Sequence, residues 1–281
     1  MLKVENIETW GFEHAVRGMR NPLNSWDKSD SEPITLFLGN RRSQFEKGEV
    51  LPPLTEVWSA PNCNADFVIG EADLDLMRRL YKAGPEHRKF LRQIFISMDI
   101  IAPLYWWKEF DTYKVGTTAN SCSTMHKIAS KEFSESDFSI ENLISVDSND
   151  IYEVMYNDFV ADVLNSPHDE KTTDGSAIDR MPVVLINDDG ILSPKGVMKC
   201  TIALLNRCRD LYLKTKDQKY WWQMIQLLPS SYNQRRTITM NYENAVSMLH
   251  QRSNHKLTEW HELLDCFVEK LPYFKDICEL N

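Results

Sequence analysis

Residues 227–252 read LLPSSYNQRRTITMNYENAVSMLHQR, and this stretch decides the fold. Leu227-Leu228-Pro229 marks a turn, and the β-branched run Thr237-Ile238-Thr239-Met240 predicts a strand. Asn241 is a good N-cap for the helix that follows, because its side chain can accept orphan backbone N–H groups of the first turn. Val246, Met248 and Leu249 form the apolar face of that helix, and Arg252 falls in its last turns, eleven residues past Asn241.

Working outward, residues 108–126 read KEFDTYKVGTTANSCSTMH. Gly116-Thr117-Thr118-Ala119-Asn120-Ser121 offers one glycine, small residues and several hydroxyls, which suits a phosphate-facing loop. It suits equally a polar loop that caps a helix at Asn120 or Ser121. The run matches neither a Walker A loop nor a dinucleotide fingerprint. Arg252 has the planar fork that grips phosphate or a pyrimidine edge. It is also placed to pair with the carboxyl end of its own helix.

The remaining pattern predicts an α+β chain without internal repeats. Glu71 to Ala83 carries Leu74, Met77, Leu80 and Tyr81 on one helical face and stops at Gly84. Phe90 to Ile101 is rich in Phe and Ile and reads as a buried strand. Pro103 then suits the first turn of a short helix over Leu104 to Phe110. Gly196 to Leu213 is a helix with Met198, Ile202, Leu205 and Cys208 on one face, and a last helix aligns Trp260, Leu263, Leu264, Phe267 and Leu271. Between them, Ser134 to Asp189 is broken by turn residues. Its two apolar pieces, Ile151 to Leu164 and Val183 to Ile186, suggest a helix and a short strand.

At 281 residues the chain is long enough to bury a sizeable core, and 42% hydrophobic with 26% charged residues is a globular balance. No apolar run reaches the roughly 18–20 residues that span a bilayer, and MLKVENIETW lacks a signal-peptide pattern. Six cysteines without a Cys-x-x-Cys pair argue against a zinc ribbon or disulfide framework and fit a reducing cytoplasm. The net charge of −9 is uneven: fifteen acidic and two basic residues lie between Glu132 and Gly190, a local −13 that leaves +4 elsewhere. A mildly basic body suits a small anionic ligand better than a nucleic-acid polymer; the acidic segment equally reads as a solvated surface insertion.

Other constellations carry less. His250, His255 and His261 are spaced so that they fall on different helical faces, which favours structural roles over metal binding. Cys122 and His126 would touch if they shared a helix. The clusters Tyr105-Trp106-Trp107 and Tyr220-Trp221-Trp222 could stack a flavin or a base, although packing is the commoner use of tryptophan.

These blocks together resemble the flavin-dependent thymidylate synthases, also called thymidylate synthase-complementing proteins. In that family a buried strand ends in Ala-Pro, as at Ala102-Pro103, and a helix follows with a glutamine where this chain has Glu109. An Arg-His-Arg triplet comes next; here it falls on Thr112-Tyr113-Lys114 or Tyr113-Lys114-Val115, so that Lys114 alone keeps a positive charge. The family's Asn-Glu-x-Ser-x-Arg-Tyr reads Asn120-Ser121-Cys122-Ser123-Thr124-Met125-His126. The Leu-Pro turn corresponds to Leu228-Pro229, the strand-then-asparagine to Thr239-Met240-Asn241, and the nucleotide-binding arginine to Arg252, without a gap. Two family arginines become Ile225 and Glu243, and an upstream His-x-Ser-Pro region appears only as Gly84-Pro85-Glu86-His87. The resemblance covers residues 70–126 and 196–271.

The resemblance implies a single α+β domain over residues 1–281 of the thymidylate synthase-complementing type, a central antiparallel or mixed sheet with helices. An N-terminal extension over about 1–69 and an acidic insertion over about 133–190 would decorate it. It implies a cytoplasmic homotetramer that methylates dUMP to dTMP with methylenetetrahydrofolate, FAD and NADPH. Carried over by position, Arg252 takes the catalytic role, Glu109, Ser123, Thr124 and Arg252 contact the nucleotide, and Tyr113, Lys114, Asn241 and Ser247 contact the flavin. Each lost cationic contact to phosphate is worth about 2–4 kcal/mol. Activity therefore requires substitutes, for which Lys114, Arg235, Arg236, Arg17 and Arg20 are the candidates. The alternative is an inactive or repurposed paralogue that binds a nucleotide or a protein partner.

Overall fold

The computed structural model describes residues 2–47, 67–144 and 193–280. The chain partitions into two compact units, residues 1–122 with 234–281, and residues 123–233. The segments expected as a helix over 151–164 and a strand over 183–186 lie outside the described residues.

The first unit is built on a four-stranded sheet in the order β1-β4-β6-β5, formed by β1 (Lys3–Trp10), β4 (Phe95–Pro103), β6 (Asn233–Asn241) and β5 (Thr118–Ser121). β1 pairs antiparallel with β4, from Lys3 opposite Ile101 to Trp10 opposite Phe95, with a register shift between Glu5 and Glu8. Asn6 sits at that shift with φ +52°, a left-handed conformation that asparagine tolerates. Gly11 then turns the chain into α1 (Phe12–Arg20) at φ +96°; a side chain there would meet the Gln93 carbonyl oxygen at 2.1 Å, so only glycine fits. Residues 3–20 thus belong to the core of this unit.

The stretch expected as one strand over 90–101 divides. Lys89–Gln93 forms a 3₁₀ turn that buries Phe90 and Leu91, and β4 begins at Phe95. Within β4 the alternation is regular, with Ile96, Met98, Ile100 and Ala102 buried and Phe95, Ser97, Asp99 and Ile101 on the more open face. The tight turn shifts the phase of the apolar pattern, which is why the longer window alternates poorly.

β4 leads through Pro103 into α4 (Leu104–Phe110), as its sequence predicts. Trp106, Trp107 and Phe110 from α4 pack with Trp260 of α9 (Thr258–Lys270), the Trp106 and Trp260 ring centroids lying 4.9 Å apart. These tryptophans serve packing, and the Trp107 indole also donates to the Gln234 carbonyl at 3.0 Å. α8 (Tyr242–Arg252) buries Tyr242, Ala245, Val246 and Met248 in the same core, and α10 (Phe274–Cys278) adds Phe274 and Ile277.

A two-stranded ribbon of β2 (Glu32–Pro33) and β3 (Phe67–Val68) flanks α2 (Ile34–Glu46) and α3 (Glu71–Lys82). The Asp30 carboxylate accepts from the backbone N–H groups of Ala72 and Asp73 at the start of α3, at 2.8 and 3.1 Å. Asp73 is fully buried and accepts from Arg20, Ser29 and Ser31. Burial pushes its carboxyl up, but those three donors more than offset that effect and hold it below the usual carboxylate range.

The second unit carries α5 (Thr124–Lys127) and the hairpin of α6 (Pro194–Thr215) and α7 (Gln218–Leu227). Ser193 caps α6 by accepting from Gly196 N at 2.9 Å, and Asp217 caps α7. Met198, Ile202 and Leu205 bury against Met224, Ile128, Phe133 and Phe138, the face that the sequence pattern marks. The Leu-Pro turn is closed by Tyr232 N donating to the Pro229 carbonyl at 3.0 Å.

Candidate functional site

The junction of β6 and α8 sets the site. Asn241 accepts from Asn244 N at 3.1 Å, the Asn244 side chain faces back to Asn241 N, and this reciprocal box starts α8 where the sequence places it. Eleven residues on, the helix delivers Arg252 with its side chain 19% exposed.

The guanidinium is held from several sides. Its Nη1 donates to Glu109 Oε2 at 3.1 Å and its Nε to the Tyr113 hydroxyl at 3.0 Å. Its carbon lies 4.8 Å from the Trp260 ring centroid and 5.7 Å from that of Tyr113, distances at which a cation is attracted by the ring faces. Tyr113 passes the chain on, donating to Gln251 Oε1 at 3.0 Å, while Gln251 Nε2 donates to Ser247 Oγ at 3.1 Å. Arg252 therefore points inward as a preset donor, and pairing with its own helix end is not its main role.

Glu109 Oε2 is the hub. It accepts from Arg252 Nη1 and from Trp260 Nε1, each at 3.1 Å, and His255 Nε2 lies 3.1 Å away. His255 Nδ1 accepts from Leu257 N at 3.1 Å, and that contact assigns the ring proton to Nε2, the atom that faces Glu109. His261 donates from Nε2 to the His255 carbonyl, and His250 lies 3.0 Å from the Tyr81 hydroxyl. Among the described residues, no group of three or more His, Cys, Asp or Glu is arranged to hold a metal ion.

The structure thus brings Glu109, Tyr113, Arg252 and Ser247 into one connected cluster, joined by Gln251, His255 and Trp260. Asn241 is engaged in its cap, and Lys114 is exposed with no ion pair among the described residues. Ser123 and Thr124 belong to the second unit, where Ser123 caps α5 by accepting from His126 N at 3.2 Å. Sequence reasoning missed His255 and Gln251 as members of the cluster. A signal existed for Gln251, which stands four residues after Ser247, one helical turn away.

Three expectations are corrected. Thr118–Ser121 is no loop: it is an edge strand that pairs antiparallel with β6, Thr118 opposite Thr239 and Ser121 opposite Arg236, so the backbone groups on its β6 side serve the ladder. Gly116 is needed instead at φ +74°, where a side chain would press to 2.9 Å from Asn241 Nδ2. Cys122 continues the ladder through its N–H to the Arg235 carbonyl, so it shares no helix with His126. Thirdly, most of the arginines named as substitutes are engaged by carboxylates. Arg20 binds Asp73, Arg235 binds Asp99 and Glu5, and Arg236 binds Asp111 while stacking 4.2 Å from the Trp107 ring centroid. Arg17 lies 3.4 Å from His14.

No helix among the described residues is long and apolar enough to cross a membrane. No protein-family model matches this sequence, and no curated protein matches it. Two solved structures from Helicobacter pylori share its architecture. Thymidylate synthase X, determined with FAD and dUMP, aligns with a TM-score of 0.54 at 13% identity, covering 99% of this chain and 97% of that one. The flavin-dependent thymidylate synthase complexed with FAD and dUMP aligns with a TM-score of 0.52 at 13% identity, covering 98% and 97%. At this identity the likeness establishes the fold: the chain has the α+β architecture of those two structures, antiparallel pairing and helices included.

Proposed function

We propose that this chain is a flavin-dependent thymidylate synthase-like protein that takes a pyrimidine nucleotide against Arg252, with reductive methylation of dUMP to dTMP as its reaction. The observation that carries this reading is the preset guanidinium, fixed by Glu109 and Tyr113 and faced by Trp260 on a fold seen elsewhere with FAD and dUMP. Such preorganisation costs ordering entropy during folding and is repaid when a planar acceptor docks. Arg252, Glu109, Ser123 and Thr124 are assigned to the nucleotide, and Tyr113, Lys114, Asn241 and Ser247 to FAD.

For the flavin, exposed Lys114 and the Ser247 hydroxyl are a fitting donor set, while the Asn241 side chain is already committed to Asn244. FAD, when bound, supplies hydride transfer, with NADPH as reductant and methylenetetrahydrofolate as one-carbon donor. A homotetramer belongs to the same reading. Flavin colour after purification and tritium release from labelled dUMP are the expected results. Colourless protein that takes up no FAD at micromolar concentration overturns it.

One observation favours a second reading, a paralogue that binds a nucleotide or a protein partner without making thymidylate. Arg88, Arg235 and Arg236 are each paired with a carboxylate of this chain, so none of the three is a free cation for a phosphate. A thermal-shift panel of FAD, FMN, dUMP, dTMP and folates separates the two. A ligand at 100 times its dissociation constant adds about 2.7 kcal/mol. Stabilisation by dUMP together with FAD supports the enzyme, and silence across the panel supports the paralogue.

A further inference from the structure

A second concave site lies in the first unit, where α1, the turn that follows it and the start of β3 enclose a cavity of about 270 Å³. It shares no residue with the Arg252 cluster. Its walls are apolar: Val16 and Phe67 are buried, and Trp26 adds an indole fixed by its Nε1 donating to Asn21 Oδ1 at 2.8 Å. One water takes roughly 30 Å³ in the liquid, so the space equals about nine waters, or an organic molecule of about nine to twelve non-hydrogen atoms.

Three charged side chains share the lining, Glu13, Arg17 and Arg20. Glu13 and Arg17 stand one helical turn apart on α1, in the order that favours an ion pair, with the acid nearer the N-terminus. They form none. Glu13 has no hydrogen-bond or ion-pair partner among the described residues, and Arg17 has only His14 Nδ1, 3.4 Å from its Nη2. Arg20 is 5% exposed, with Nε held by Asp73 and Nη1 by the Ser25 carbonyl, so Nη2 is the donor it can offer to a ligand. Ser29 also lines the cavity, but its hydroxyl is given to Asp73.

This arrangement selects by charge. Asp73 balances Arg20, and Glu13 offsets Arg17, so the lining is neutral overall while its two signs stay apart. A phosphate gains little here, because Glu13 repels what Arg17 attracts. A molecule that is neutral overall, with its own charges separated, meets both.

We propose that this cavity binds a free α-amino acid with a large apolar side chain. The carboxylate goes to Arg17 and the spare Nη2 of Arg20, the ammonium to Glu13, and the side chain against Val16, Trp26 and Phe67. An α-amino acid carries both charges on one carbon, which lets it bridge two side chains one helical turn apart. Leucine and phenylalanine bracket the size, and the aromatic walls favour the second. The site stands independently of the nucleotide reading.

Calorimetric titration of the full chain with L-phenylalanine and L-leucine tests this. Three controls each lack one element: 3-phenylpropanoate the ammonium, phenethylamine the carboxylate, and glycine the side chain. Both amino acids are expected to bind with a Kd of about 1 mM or below, and each control at least about 10-fold more weakly. Glu13 and Arg17 are both exposed, so Glu13→Gln and Arg17→Gln should leave the fold intact. Glu13→Gln should abolish the preference for L-phenylalanine over 3-phenylpropanoate, and Arg17→Gln should shrink the preference over phenethylamine. Absence of binding by either amino acid at about 10 mM would overturn the proposal. Controls that bind as well as L-phenylalanine would reduce the site to an apolar cleft, and affinities untouched by both substitutions would put binding elsewhere; each of these outcomes overturns it too.

Discussion

Arg88 grips both oxygens of Glu243, its Nε donating to Oε2 at 3.0 Å and to Oε1 at 3.2 Å and its Nη2 to Oε1 at 3.0 Å. The acidic residue stands two positions after Asn241, where the resemblance to flavin-dependent thymidylate synthases expects an arginine. The cation comes instead from the turn after Gly84, one residue past His87. Both side chains are largely closed to water, and the guanidinium also lies 5.5 Å from the Tyr81 ring centroid. The carboxylate at 243 thus serves an internal brace between that turn and α8.

Breaking this brace from one side strands a buried charge. Glu243→Ala is expected to cost about 2–4 kcal/mol, because the Arg88 guanidinium loses its charge-assisted bonds without regaining water. The double replacement Arg88→Met with Glu243→Leu should cost clearly less than the two single changes together, since neither charge then remains. Urea unfolding midpoints measure both. A shift below about 0.5 kcal/mol for Glu243→Ala would mean that the pair is a surface contact in solution.

Gly116 separates two meanings of a hydroxyl-rich glycine run. Its φ of +74° and the 2.9 Å approach to Asn241 Nδ2 tie it to the cap of α8. Gly116→Ala is expected to destabilise by about 1–3 kcal/mol through backbone strain and displacement of the cap. Amide exchange in the first turn of α8 should accelerate along with the fall in stability. A glycine serving only close approach to a phosphate would leave the exchange of α8 unchanged.

How much was legible in sequence depends on how local each feature is. Asn241 and the strand before it were readable because a cap and a β-branched run act within a few residues. The Thr118–Ser121 strand was not, because small hydroxylated residues suit a loop and an exposed edge strand alike, and only the pairing with β6 decides between them. The residue types at Glu109 and Arg252 were readable, but their direction was not. That depends on Trp260, read as one member of an apolar stripe, turning its indole N–H to Glu109 across 151 residues of chain. Spacing among the histidines says nothing of the role of His255, whose ring is set by a backbone N–H only two residues away.

Asp99 gives the sheet an acid-sensitive point. Its carboxyl is held down to about 2 by the Thr237 hydroxyl first, then by Arg235 and Asn6. A carboxyl whose folded pKa lies below its unfolded value of 3.8 binds fewer protons in the native state. Its contribution is therefore complete above about pH 4 and is lost as pH falls toward 2. Thr237→Val removes the leading donor at little cost in shape. Stability at pH 7 should drop by about 1 kcal/mol, the worth of one hydrogen bond to the carboxylate, and the gap to wild type should narrow as pH falls to 2. A gap that stays constant between pH 7 and 2 would assign the loss to packing.

Arg252→Lys tests the centre of the site. Lysine keeps the charge, but its single ammonium cannot hold Glu109 and Tyr113 at once and still present a planar edge. Glu109 retains the Trp260 donor and the neighbouring His255, so the fold should survive, with less than about 1 kcal/mol lost in urea unfolding. Binding of dUMP should weaken by about 10- to 100-fold in a calorimetric titration, the equivalent of about 1.4–2.7 kcal/mol. The two readouts part a ligand contact from a structural one: a variant that unfolds more readily yet binds dUMP as well as wild type would reduce Arg252 to a strut between α8 and α4.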